Sequence, residues 1–146
     1  MQDKAKDLCI YRINSALETL EVARECIVGK HYKDAINRSY YASFYAVKAV
    51  LAMEGTDFKR HKDVVAYFNK NYVATEIFDK MLGRKLANLQ QTRESSDYDD
   101  FFLASKEEAE IQCKSAENII DAVKKYLNDK YEIEKQRDAD NQWKNI

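Results

Sequence analysis

The chain has 146 residues, no proline, three glycines, and 24 basic against 25 acidic residues. That is the length of one domain, enough to bury a core without metal or disulfide staples. Sheet proteins need turn residues every 8–12 positions or so, which this composition cannot supply, and a strongly basic field for nonspecific nucleic-acid binding is absent.

Ile13, Ala16, Leu17, Leu20, Ala23 and Ile27 recur at three- and four-residue steps and predict a helix over about 3–28, stopped by Gly29. A second helix is predicted over about 32–54, ending at Gly55, and the loop GTDFKR follows. Val64, Val65, Phe68 and Tyr72 share one side of a short helix over about 61–72. Thr75 is the expected cap of a fourth helix with Phe78, Leu82, Leu86 and Leu89 inward, kinked or split at Gly83 and ended by the polar run QQTRESSDYDD. Ser105 and Glu108 form a capping box, after which Ala109, Cys113, Ala116, Ile120, Val123 and Leu127 continue as one long helix.

These elements predict an all-α fold: an up-and-down antiparallel helical bundle of four to five helices over residues 1–130. A polar tail, 131–146, is expected to fray into solvent apart from any docking by Trp143. Cys9, Cys26 and Cys113 are odd in number, far apart and within apolar patterns, which fits buried free thiols in a reducing cytoplasm. No signal peptide or membrane span is visible. No cofactor and no metal site is expected: a glycine-rich phosphate loop is absent, and neither His31 nor His61 has the i,i+4 partner of a helical metal site.

At 100° per residue or so the second helix divides into three stripes. Ile36, Tyr40, Ser43, Val47, Val50 and Leu51 form a core face, and Ala35, Ala42, Ala46 and Ala49 form a narrow stripe for close helix approach. Asp34, Arg38, Tyr41, Tyr45 and Lys48 form the third. This third stripe reads either as an exposed cation over tyrosine rings, with an Asp34–Arg38 ion pair, or as the wall of a polar cleft that holds a phosphate and stacks a base. TRESSDYDDF (92–101) is the second polar constellation. It reads as a loop with helix-end charges; if the helix continues, Arg93 and Asp97 lie one turn apart and Asp97 orients Arg93 or Tyr98.

Arg38-Ser-Tyr-Tyr-Ala-Ser-Phe44, then Lys59-Arg60-His61 ahead of Val64, Phe68 and Tyr72-Val73, then Arg93-Glu-Ser-Ser-Asp97-Tyr98 ahead of a capped last helix, together resemble the HEPN superfamily over roughly residues 5–128. The resemblance implies a small helical bundle that homodimerises. It also implies pairing with a small nucleotidyltransferase as a toxin–antitoxin couple, and in many members metal-independent cleavage of RNA through its own 2′-hydroxyl. The family signature the resemblance implies is an arginine, four to six intervening residues, then a histidine. Here Asp97-Tyr98 stands in that place, and an aspartate with an ordinary pKa of about 4 is a poor proton donor at pH 7. One formal match, Arg24…His31 with six residues between, straddles the turn after the first helix and reads as chance.

Between residues 94 and 110 seven acids face one lysine, so RNA phosphate is repelled there unless Arg93, Arg38 and Lys59-Arg60-His61-Lys62 compensate. His61 is the remaining candidate acid–base group. The sequence therefore points to a HEPN-type module that binds a nucleotide, RNA or a nucleotidyltransferase partner. Arg93, Asp97, Tyr98 and His61 are its candidate catalytic residues, and Arg38, Tyr41, Tyr45, Lys59 and Arg60 its candidate ligand contacts. An active metal-independent endoribonuclease and a ligand-free dimerisation scaffold are the alternatives.

Overall fold

The computed structural model describes residues 2–133; of the expected tail, Tyr131 is the last residue of α5 and Ile133 is buried, while residues 134–146, with Trp143, lie outside the described residues. Five α-helices follow in order: α1 (Gln2–Val28), α2 (Tyr32–Met53), α3 (His61–Phe68), α4 (Lys80–Tyr98) and α5 (Lys106–Tyr131). No strand occurs among the described residues, and the molecule is an all-α bundle. Ala5 near the start of α1 lines a hollow with Met53 at the end of α2 and Tyr131 at the end of α5, while Arg24 near the end of α1 meets Glu117 of α5. Asp79 before α4 lies with Asp129 late in α5, while Asn88 meets Gln112, so α1 with α2, α1 with α5 and α4 with α5 run antiparallel. Among the described residues no helix is long and apolar enough to cross a membrane.

α2 is the central helix and touches α1, α3, α4 and α5. Its sequence explains this. The stripe of Ala35, Ala42, Ala46 and Ala49 is fully buried, and so are Ile36, Tyr40, Val47 and Leu51 on the adjoining face. Small side chains let one neighbour approach closely while large ones fill the space toward the next. Ile13, Ala16, Leu20 and Ala23 of α1 and Ala116, Ile120, Val123 and Leu127 of α5 complete the core. Each fully buried Leu or Ile contributes about 1.5–3 kcal/mol by leaving water.

Helix ends differ from expectation at four places, each for a local reason. α1 stops through Lys30, which takes the left-handed φ of 64°, not through Gly29. α3 gives way after Phe68 to a π-turn, Asn69–Val73, closed by the Ala74 N–H donating to the Asn69 carbonyl at 2.8 Å. Thr75 does not cap α4. Its hydroxyl donates back to the Asn71 carbonyl at 2.8 Å, while the Asp79 carboxylate caps α4 by accepting from the Met81 N–H at 2.8 Å. Gly83 neither kinks nor splits α4: a Cβ there would lie 2.9 Å from Val73 Cγ1, so its lack of a side chain lets the π-turn sit directly on the helix. The Ser105 cap is as expected, its hydroxyl accepting from the Glu108 N–H at 3.0 Å.

Cys9, Cys26 and Cys113 are free thiols, and burial pushes the Cys9 thiol up to about 12. Among the described residues no group of three or more His, Cys, Asp or Glu side chains is placed to hold a metal ion.

Candidate functional site

α4 continues through residues 92–98, so the polar run there is helix and not loop. Its inward face changes character on the way. Leu82, Leu86 and Leu89 are apolar and buried, then Thr92 and Ser96 take the same face. Gln112 of α5, fully buried, donates to Asn88 Oδ1 at 2.8 Å and to Thr92 Oγ1 at 3.4 Å, fixing α4 against α5 one residue away from Arg93.

Arg93 thereby turns onto the tyrosine stripe of α2. Its guanidinium carbon lies 4.9 Å from the Tyr40 ring centroid and 5.6 Å from that of Tyr41. Asp97 stands one turn further and pairs with Arg93 at 3.3 Å. The side chain is only 14% exposed, and its Nε is buried with no hydrogen-bond partner. Burial works against the Arg93 charge, but the Tyr41 and Tyr40 phenols and Asp97 outweigh it and hold the guanidinium pKa above its ordinary value.

Arg38 approaches the same Tyr41 ring, its guanidinium carbon 5.5 Å from the centroid. The expected Asp34–Arg38 pair is not what orients it: Asn37 Oδ1 accepts from Arg38 at 3.2 and 2.7 Å. Both guanidinium groups, 55 residues apart in sequence by subtraction of their numbers, therefore share one tyrosine.

The loop after α2 brings His61 to the same place. Asp57 anchors that loop by pairing with Arg12 at 3.2 Å and Lys48 at 3.5 Å. Burial opposes the Asp57 charge, yet the Phe58 N–H with Lys48 and Arg12 holds its pKa below the usual carboxylate value. The His61 ring centroid is 4.1 Å from that of Phe44, 5.6 Å from Tyr41 and 6.2 Å from Tyr40. Burial, and then the charges of Arg93 and Lys48, push its pKa below the ordinary imidazole value. Burial likewise pushes the Tyr40 phenol up to about 12, against the pull of Arg93, and its hydroxyl has no hydrogen-bond partner.

The structure thus brings Arg38, Tyr41, Arg93, Asp97 and His61 together. Tyr45 lies next along the stripe, its ring 6.2 Å from Tyr41. Three other candidates stand apart. Tyr98, the last residue of α4, is 78% exposed, Arg60 pairs with Asp63 at 3.0 Å, and Lys59 lines a separate hollow with Lys48, Asp57 and Phe58. Arg24 of the chance motif is engaged by Glu117 at 2.8 Å.

Four contributors escape a reading of the sequence: Tyr40 and Phe44 as the aromatic floor, Asn37 as the holder of Arg38, and Gln112 as the brace of α4. Tyr40 belongs to the core face by angle, and only its length carries the phenol to Arg93. Gln112 does leave a signal, an amide three residues after Ala109 on an apolar face.

An all-helical bundle in which a conformationally held arginine from one helix overlies tyrosines of another, beside a histidine, defines a class of small helical proteins with a polar inter-helix site. The HEPN domain model matches residues 11–126, and the chain belongs to that family. It is 32% identical over 129 residues to a "UPF0332 protein" of Thermotoga maritima, covering 88% of this chain and 97% of that one. It is 31% identical over 115 residues to "Putative toxin MJ0142" of Methanocaldococcus jannaschii, covering 79% and 78% of the two chains. Against "Putative toxin MJ0605" of the same organism it is 32% identical over 117 residues, covering 80% and 87%.

Proposed function

We propose that this HEPN chain is the toxin-like half of a two-component pair, acting in the cytoplasm as a homodimer, and that its Arg38–Tyr41–Arg93 pocket binds the phosphate of a nucleotide or RNA. The observation that carries the reading is the convergence of two guanidinium groups on Tyr41, at 5.5 and 5.6 Å. Two forks over one ring offer several N–H donors to a phosphate and a flat surface to a base. Among the described residues Asp97 is the carboxylate paired with Arg93, through one Nη at 3.3 Å. The toxin names of two relatives support the toxin-like half, and the partner we propose for it, on the family resemblance alone, is a nucleotidyltransferase.

The reading is tested by calorimetric titration of nucleoside monophosphates and short RNA into the purified chain. Binding that weakens at least tenfold in both Arg93→Ala and Arg38→Ala supports it; binding indifferent to both sinks it. Co-expression with a nucleotidyltransferase encoded beside this chain tests the partner, and intact-mass analysis reads nucleotidylation of Tyr98, the exposed phenol beside Asp97.

The placement of His61 favours a second reading, metal-independent RNA cleavage. With its pKa held below the ordinary value, His61 is neutral at pH 7 and able to accept a proton. In this reaction the RNA 2′-hydroxyl gives its proton to His61 and attacks the adjacent phosphorus, the P–O5′ bond breaks to leave a 2′,3′-cyclic phosphate, and the departing 5′-oxygen takes a proton from water, while Arg93 stabilises the charge that develops on the phosphoryl oxygens. Cleavage in the presence of chelator, lost in Arg93→Ala and in His61→Ala, supports this; activity that survives both substitutions excludes it.

A further inference from the structure

The hollow between α1 and α2 is lined by none of Arg38, Tyr41 and Arg93, yet it reaches Tyr45, the next ring along their stripe. It has a volume of about 470 Å³, and Tyr11, Arg12, Ser15, Glu18, Tyr45 and Lys48 lie on its walls. That size is ordinary for a small-molecule site. Tyr45 is the shared wall: its ring is 6.2 Å from Tyr41, on which Arg38 and Arg93 rest.

The chemistry of the walls selects the occupant. Arg12 and Lys48 are already engaged. Arg12 donates to the Lys48 carbonyl at 2.9 Å, and Asp57 takes Arg12 at 3.2 Å and Lys48 at 3.5 Å. With its two cations shared by one carboxylate, and Glu18 on the rim, the hollow has little to offer a phosphate. What it offers is aromatic surface with hydrogen-bonding groups beside it. Tyr11 is 68% exposed, a large ring that contributes nothing to the core, and Tyr45 faces the same space. The Glu18 carboxylate can accept the N–H groups that a nucleobase carries on its edge. Aromatic rings of this kind stack bases of any identity.

We propose that the α1–α2 groove is a nucleobase subsite, taking a base further along a strand whose phosphate is held between Arg38 and Arg93. The ligand of this chain is then a single-stranded RNA and not a mononucleotide. The proposal rests on the phosphate reading of the Arg93 pocket and adds strand length to it.

The test compares the affinity of an oligoribonucleotide of four or more residues with that of a nucleoside monophosphate, by calorimetry, in wild type, Tyr11→Ala and Tyr45→Ala. The expected result is a long-to-short affinity ratio of at least ten in wild type, falling at least fivefold in each variant. Tyr11 is mostly exposed, so its variant folds even where Tyr45→Ala disturbs Tyr41. A wild-type ratio near one, or a ratio that neither variant moves, overturns the groove. So does a change in sedimentation in Tyr11→Ala with the ratio unmoved, which places a second copy of the chain there. Long RNA whose binding falls in Tyr11→Ala, with no monophosphate binding in wild type, keeps the groove and overturns the phosphate pocket. No binding of either ligand overturns both.

Discussion

Two tyrosine clusters sit on opposite halves of α2, and they are built for different ends. At the C-terminal end Glu54 accepts hydrogen bonds from Tyr67 at 2.9 Å and from Tyr72. Tyr72 stacks on Phe68 at 5.4 Å and meets Tyr126 edge-on at 6.1 Å, so its ring and its hydroxyl are both occupied. In the N-terminal half the partner of the phenols is a cation. Among the described residues the Tyr40 hydroxyl and the Arg93 Nε have no hydrogen-bond partner, and Arg93 pairs with Asp97 at 3.3 Å. The same residue type fastens π-turn to helix where its polar atom is satisfied, and lies buried and unpaired beside a guanidinium where it is not.

The comparison breaks most visibly if the closed cluster is not the one that holds the fold. Phe68→Ala removes a fully buried ring that stacks on Tyr72 and packs at 5.2 Å from Phe78. It should lower unfolding free energy by about 3–5 kcal/mol, read by urea denaturation. A loss under about 1 kcal/mol would mean that the cluster is ornamental. Glu54→Ala is expected to cost about 1–3 kcal/mol, since the nearly buried Tyr72 hydroxyl loses its acceptor. Glu54→Gln, which keeps an acceptor oxygen, should recover part of that loss.

The open cluster should behave in the reverse way. Arg93→Gln removes ring contacts and one partly exposed ion pair, so its stability change stays within about 1 kcal/mol. Its effect on phosphate affinity should be tenfold or more. Loss of stability comparable to Phe68→Ala, with affinity intact, would reverse the roles assigned to the two clusters.

How much of this was legible beforehand follows from what periodicity encodes. The faces of α1, α2 and α5 could be read because burial repeats with the helix period, and Ile36, Val47, Ala116 and Leu127 are all buried as expected. The start of α4 could not. Thr75 and Asp79 are both competent caps, and only the π-turn, which consumes the residues after Phe68, decides for Asp79. Gly83 read as a breaker because a sequence does not show that Val73 will lie against it. In the site, the stripe of Arg38, Tyr41 and Tyr45 was legible, being one face of one helix. The meeting of Arg93 with that stripe was not, because it depends on Gln112 and Asn88 setting α4 against α5. His61 was visible as a residue but not as a neighbour. The Asp57 anchor to Arg12 and Lys48 supplies its position, and that contact spans 45 residues of chain.

His61 also gives the finest test of the difference between the clusters, because its cluster carries positive charge. The ring lies against Phe44, Tyr40 and Tyr41, and Arg93 from α4 and Lys48 from α2 face it. Burial first, and then those two charges, depress its pKa in the folded chain. The unfolded chain binds the proton at its ordinary value of about 6.5. As pH falls below that value the unfolded state takes up the proton first, so the stability that the neutral ring contributes is present above about pH 6.5 and is lost on acidification. Melting temperature should therefore fall further between pH 7.5 and pH 5.5 in wild type than in His61→Phe, which keeps a ring against Phe44 and cannot be protonated. Parallel profiles for the two proteins would mean that neither burial nor the Arg93 and Lys48 charges depress the His61 pKa, and the histidine would lose its place in the site. If the profiles diverge, the neutral imidazole required of a proton acceptor is set by burial together with the Arg93 and Lys48 charges, and under the cleavage reading RNA cleavage should rise with pH along the same limb.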